Sequence, residues 1–366
     1  MRKIQRKLLI GLLCGVVLCG LAACGTKTPA GEERGMLSPG GTAATMPEDQ
    51  GTEENVTEQP EATLTPVATA TPVPTATPEP THVPAKKAGI RIPAEYLQLK
   101  KGYEGTVELI SYKTRDYYGD GQEETKPAYV YLPHGYDETK QYNVLYLLHS
   151  AGGDETEWGL NNPFSTVRLT MDNLIYYGDI EPFIIVTPYD LPRRGFFPDT
   201  SETVDIAYEG FLTELRNDLI PYIEANYATY GDYDEDGYDM AAARDHRAIA
   251  GGSFGAMQTI DIGMCECLDL FGWFGPFSPG VTVYEPEEIA ERINSFEDYD
   301  IHCIYNVCGN DEIPYAKTSV YLLQDLEEWT DKVKLGENLF MYMVDGGHGK
   351  DTWGLGFYNF AQVLFK

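Results

Sequence analysis

Arg247-Ala248-Ile249-Ala250-Gly251-Gly252-Ser253-Phe254-Gly255-Ala256-Met257-Gln258-Thr259-Ile260 is the stretch on which the reading of this chain turns. Residues of strand character run into a G-x-S-x-G turn and then into a helical pattern. A serine held on a sharp strand-to-helix turn needs small neighbours, and its hydroxyl then projects free of the sheet. The helix N-terminus beneath it adds positive potential. A serine that merely caps a helix after a glycine turn would look alike. The partners found elsewhere must therefore decide.

A lone serine is a poor nucleophile near neutral pH, so a base and an orienting acid are expected downstream in the order Ser, Asp, His. Two histidines follow Ser253. His302 lies inside the apolar run 301–307 and reads as a core or sheet-face residue. His348 sits in Asp345-Gly346-Gly347-His348-Gly349, a glycine-rich loop after a strand, where an imidazole can reach the turn. It is the expected base. For the acid, a strand ends in Gly309-Asn310-Asp311-Glu312, which places carboxylates beyond its C-terminal end, the edge where α/β sheets keep their sites. Asp311 is the expected acid, with Glu312 its immediate alternative. An oxyanion needs two amide donors. Phe254 supplies one, and the loop Leu147-Leu148-His149-Ser150-Ala151-Gly152-Gly153 supplies the other through Ala151. His149 precedes the serine and ends a strand, so a structural hydrogen-bonding role fits it.

Outward from this centre, residues 89–366 read as one domain without a low-complexity break or internal repeat. Strand patterns cover 106–112, 128–132, 143–149, 183–187, 247–251, 271–277, 301–308 and 339–344. Several are apolar throughout, as buried parallel strands are. Helical patterns lie at 165–177, 208–227, 255–265, 287–294, 314–331 and 353–365. In the second, Phe211, Leu215, Leu219 and Ile223 form one apolar stripe, with a kink expected at Pro221. The alternation predicts an α/β fold: a mostly parallel sheet of about eight strands, antiparallel at its start, with helices on both faces.

The N-terminal part is an address. Arg2, Lys3, Arg6 and Lys7 precede an apolar run from Leu8 to Leu21, too short to span a bilayer. It closes in Leu21-Ala22-Ala23-Cys24, which resembles a bacterial lipobox. Residues 1–24 are thus expected to be a lipoprotein signal peptide, with Cys24 lipidated and the mature protein tethered to the extracellular face of the cell membrane. Residues 25–88 lack Phe, Trp and Tyr and are rich in Thr and Pro, a composition that builds no core. They read as a disordered spacer.

The chain carries 27 Lys plus Arg against 57 Asp plus Glu, a net charge of −30 that repels phosphate backbones and argues against nucleic acid. Cys265, Cys267, Cys303 and Cys308 are expected as buried free thiols, because each near pair has unfavourable disulfide geometry, with a cross-pair such as Cys265 to Cys303 the alternative; neither spacing is CxxC, which argues against a metal site. Asp232-Tyr233-Asp234-Glu235-Asp236-Gly237 imitates the start of a calcium loop, but Ala243 stands where the bidentate Glu belongs, so an acidic surface loop is expected and no metal.

Together, 128–133, 142–158, 245–251, the serine turn, and Gly347-His348 followed by Trp353 resemble the esterase D and carbohydrate esterase family 1 group, over nearly all of 89–366. The resemblance implies an α/β-hydrolase fold, a Ser253-Asp311-His348 triad without cofactor, and substrate loops around Trp158, Tyr189 and Trp353. Ser150 departs from the glycine usual in that family's His-Gly loop, and Phe254 and Ala256 replace the usual Met and Gly. The implied activity is hydrolysis of feruloyl or acetyl esters, on plant polysaccharide fragments or small esters, through an acyl-enzyme. Transfer to another acceptor, or a silent carbohydrate-binding lipoprotein of the same fold, are the alternatives.

Overall fold

The computed structural model describes residues 89–234, 237–312 and 314–366. The leader, Cys24 and the Thr/Pro-rich spacer lie outside the described residues, as do Glu235 and Asp236 of the acidic loop.

Eight strands form one sheet: β1 (Thr106–Arg115), β2 (Glu123–Leu132), β3 (Asn143–Leu148), β4 (Phe183–Pro188), β5 (Arg247–Gly252), β6 (Trp273–Phe277), β7 (Cys303–Gly309) and β8 (Leu339–Val344). Their spatial order is β1-β2-β4-β3-β5-β6-β7-β8. β1 and β2 pair antiparallel from Thr106 against Leu132 to Arg115 against Glu123, and β2 meets β4 antiparallel. Every pair from β4 to β8 is parallel. This is an α/β-hydrolase sheet, and all its parallel strands point their C-terminal ends at the same edge.

The alternation of side chains along a strand builds the two layers. In β3, Val144, Tyr146 and Leu148 face one apolar cluster, while Leu145 and Leu147 face the other. The first layer is covered by α2 (Ser201–Glu214), α3 (Ile220–Asn226), α4 (Phe254–Gln258) and α5 (Pro286–Ser295), the second by α1 (Thr166–Tyr176) and α7 (Lys350–Ala361). α6 (Pro314–Asp325) packs beside β7.

The expected stripe Phe211, Leu215, Leu219 and Ile223 is buried throughout. Between α2 and α3 the chain makes a π-helical turn at Leu215–Leu219, and Pro221 follows at the start of α3. A proline cannot donate to the carbonyl four residues back, so the ladder shifts register there. α2 begins well before the expected Tyr208, because Thr200 and Thr203 close a reciprocal capping box at its N-terminus. Cys265, Cys267, Cys303 and Cys308 are free and buried.

Candidate active site

The turn after β5 holds Ser253 at φ 55°, ψ −109°, a left-handed conformation uncommon for any residue but glycine. Its neighbours explain why no side chain is tolerated around it. A β-carbon on Gly251 would lie 2.5 Å from the Gly255 carbonyl carbon, one on Gly255 would lie 2.7 Å from the backbone oxygens of Leu148 and His149, and one on Gly252 would meet the Trp353 ring at 2.6 Å. The sequence requirement for glycine is thus a packing requirement.

The Ser253 Oγ lies 2.8 Å from His348 Nε2, and His348 Nδ1 lies 2.5 Å from Glu312 Oε2. With Nδ1–H donated to the carboxylate, Nε2 carries its lone pair toward the serine hydroxyl. Glu312, not Asp311, holds the histidine. At the end of β7 the amides of Asn310 and Asp311 donate to the carbonyls of Val344 and Gly346. That turn leaves Asp311 exposed and Glu312 buried. The Asp311 assignment is therefore corrected by one residue, to the neighbour whose extra methylene reaches the imidazole.

Glu312 Oε1 also accepts from Ser278 Oγ at 2.5 Å and from the Gly309 amide at 3.2 Å. Burial alone would raise this carboxyl, but the hydrogen bonds from His348, Ser278 and Gly309 outweigh it and hold the group below the usual glutamate range. No motif in the sequence marks Ser278. It follows β6 at φ 49°, in a loop with no signal beyond a serine before a proline.

Phe254 opens α4, so its amide is one of those a helix leaves without an internal acceptor. Ala151 sits in the loop after β3, and among the described residues no acceptor takes its N–H. Ala151 also lines a pocket of about 230 Å3 together with Tyr189, Leu191, Arg194, Phe196 and Phe197. Tyr189 stands at this pocket, its ring stacked on His149 and covered by the Arg194 guanidinium at 4.2 Å. Trp158 and Trp353 do not line it. Both are packed inside the second apolar layer, 6.4 Å apart; Trp158 Nε1 donates to the Leu148 carbonyl, and Trp353 meets the His348 ring edge-on at 5.3 Å. Both pack beneath the loops that carry the site.

His302 and His149 both have structural surroundings. His302 lies beside Asp245 at 2.7 Å, far along the sheet at the start of β7. His149 is fully buried, its Nδ1–H donated to the Ser150 carbonyl at 2.7 Å and its amide donated to Asp190 Oδ2 at 3.0 Å. Burial pushes its imidazole down to about 4. Asp190 is buried as well, and desolvation drives its carboxyl well above the ordinary range despite the His149 amide and Lys126. Its Oδ1 lies 3.2 Å from His149 Nε2, which carries a lone pair, and receives no donor.

A carboxyl raised in the folded state contributes stability below its unfolded pKa and loses it as pH rises through the folded value. Asp190→Asn keeps the acceptor for the His149 amide and removes that loss. It should raise Tm at pH 8 by about 2 to 4 °C. The gain should shrink toward zero near pH 4; a thermal scan showing a lower Tm at pH 8 than the parent would refute the account. Among the described residues no cluster of His, Cys, Asp and Glu is placed to hold a metal ion.

The family model described as "Putative esterase" matches residues 122–356. Among curated proteins, the chain is 34% identical over 242 residues to endo-1,4-beta-xylanase Y of Acetivibrio thermocellus, covering 63% of this chain and 21% of that protein. It is 31% identical over 291 residues to an endo-1,4-beta-xylanase/feruloyl esterase of Xylanibacter ruminicola, covering 76% of this chain and 35% of that one. The chain therefore spans only a fifth to about a third of the length of these relatives. Among solved structures, a mutant of the feruloyl esterase module from Clostridium thermocellum complexed with sinapinate aligns with TM-score 0.60 at 25% identity, over 75% of this chain and 93% of that chain. A ferulic acid esterase from Anaeromyces mucronatus shares the fold at 23% identity and TM-score 0.60, over 76% of this chain and 98% of that one. Since the family match extends over well more than half the sequence and takes in Ser253, Glu312 and His348, the chain belongs to this esterase family.

Proposed function

We propose that the protein is a serine esterase working through Ser253, His348 and Glu312, and that its acyl group is aromatic. The observation that carries the reading is the unbroken relay from hydroxyl to imidazole to buried carboxylate, at 2.8 and 2.5 Å. In it, His348 Nε2 takes the Ser253 proton as Oγ attacks the ester carbon, and Glu312 stabilises the imidazolium through Nδ1–H. The Phe254 and Ala151 amides receive the oxyanion. His348 then protonates the departing alcohol, and water releases the acyl group by the reverse sequence.

The pocket beside Ala151 is walled by Tyr189, Leu191, Phe196 and Phe197, a lining that suits a planar phenolic ring better than a methyl group. The relative named for feruloyl esterase activity and the sinapinate complex support the same class. Feruloyl esters on plant polysaccharide fragments are the substrates we infer. The leader and spacer would hold the domain outside the cell on lipidated Cys24, a tether reported by labelled palmitate that Cys24→Ala abolishes; labelling that persists in that variant removes the tether.

The full chain should hydrolyse methyl ferulate with kcat/KM at least about tenfold above that for methyl acetate, and Phe196→Ala should lower the first selectively. Turnover of neither ester would end the esterase reading. Equal turnover of both, unchanged in Phe196→Ala, would end the aromatic one.

A further inference from the structure

The loop that offers Ala151 carries an unusual residue, Ser150, where the resembling family has glycine. The structure gives that serine a specific counterpart. Glu157 spans the loop from its far side: its Oε2 accepts the Ser150 amide at 2.5 Å, and its Oε1 accepts the Ser150 hydroxyl at 3.0 Å. The glutamate side chain also closes over Gly153, where a β-carbon would lie 2.4 Å from Oε2.

On the other side, the Ser150 carbonyl accepts His149 Nδ1–H at 2.7 Å and the Gly153 amide at 2.9 Å. Every polar group of Ser150 is therefore engaged. The His149 amide is likewise taken by Asp190. The next amide along, that of Ala151, has no acceptor among the described residues.

We infer that Glu157 is a positioning residue: by gripping Ser150 at its amide and hydroxyl it fixes the residue whose carbonyl shares a peptide plane with the Ala151 N–H, and so helps aim that N–H at the developing oxyanion. The inference rests on the esterase reading above and extends it. With Glu157 on the Ser150 amide and hydroxyl, and His149 and Gly153 on the Ser150 carbonyl that shares its peptide plane with the Ala151 N–H, Ser150 is held on both sides and cannot turn when charge develops, so the donor is preorganised. The hydroxyl of Ser150 supplies the second grip, one that a glycine there would lack. The carboxylate is itself held by those two donors and kept from taking the Ala151 amide.

The full chain is assayed on methyl ferulate, with the parent and Ser253→Ala run beside it, and a phenylboronic acid serves as the tetrahedral probe and free ferulate as the ground-state probe. Glu157→Ala should lower kcat about 30-fold and weaken boronate inhibition in parallel, with KM and ferulate inhibition within about twofold. Glu157→Gln, which keeps an acceptor for the Ser150 amide and a group able to bond its hydroxyl, should recover most of the loss. Ser150→Gly should lose about threefold, and its loss should largely vanish when Glu157 is already alanine. If Glu157→Ala does not fold, Ser150→Gly and Glu157→Gln carry the same comparison. An active parent with kcat in Glu157→Ala within threefold, or boronate inhibition unmoved while kcat and Tm fall, overturns the assignment alone. An inactive parent overturns the esterase reading and this assignment with it.

Discussion

Ser253→Ala should yield a protein that melts with the parent yet hydrolyses methyl ferulate about 10⁴-fold more slowly or worse. The two halves of that expectation have separate causes. Alanine keeps the β-carbon and so the same fit among Gly251, Gly252 and Gly255, and the φ of 55° costs a serine and an alanine alike. The hydroxyl's hydrogen bond is to His348 Nε2, a half-buried contact whose loss is worth about 1 kcal/mol at most. The chemistry, by contrast, has no other nucleophile. What remains is the binding pocket and the amides of Phe254 and Ala151, which by themselves leave a small residual rate over water. Steady-state turnover beside a thermal melt decides it; a variant retaining even a hundredth of parental activity would remove Ser253 from the reaction.

Glu312→Gln should lower kcat by about 10³ to 10⁴, while Asp311→Asn should stay within twofold of the parent. The argument is one of donors. His348 Nδ1–H, the Ser278 hydroxyl and the Gly309 amide all point at Glu312, and a carboxylate accepts from all three. Glutamine has one oxygen and one amino group. If its oxygen stays with the Gly309 amide, which cannot turn round, its NH₂ meets His348 and takes the Nδ1 lone pair. The proton then sits on Nε2, facing Ser253, and the imidazole can no longer accept from the hydroxyl; losses of about 10⁴ follow from a wrong tautomer of this kind. Asp311 is exposed at the turn and meets neither ring nitrogen. Measuring both variants on one ester separates the two acids: equal losses, or a loss only in Asp311→Asn, would overturn the geometry.

Much of this site was legible because it rides on patterns that one buried layer imposes. The strands from β3 to β8 are apolar runs, and their succession with helices fixed the sheet and which loops share its edge. The hairpin of β1 and β2 runs longer than its apolar pattern predicts. Beyond Tyr112 the strand continues as Lys113-Thr114-Arg115 and pairs with Glu123-Glu124-Thr125, residues whose polarity carries no strand signal because solvent, not core, meets much of that end. Ser253 and His348 stood out because glycine surrounds them for a visible packing reason. The acid did not. Asp311 and Glu312 are equivalent by type and position, and what separates them is the direction of a turn set by the carbonyls of Val344 and Gly346, contacts from another strand. Trp158 and Trp353 illustrate the same limit: an aromatic near a site loop reads identically whether its ring faces a ligand or a neighbouring tryptophan.

Ser253, Ser278, Glu312 and His348 follow β5, β6, β7 and β8, four strands that lie side by side. Each contributes one member of the relay, so the order along the sheet is the order of the polypeptide. A ribosome delivers them in that same sequence, and the imidazole comes last, in the loop between β8 and α7. On a nascent chain the relay is consequently incomplete until β8 and the loop that carries His348 have been synthesised and docked beside β7.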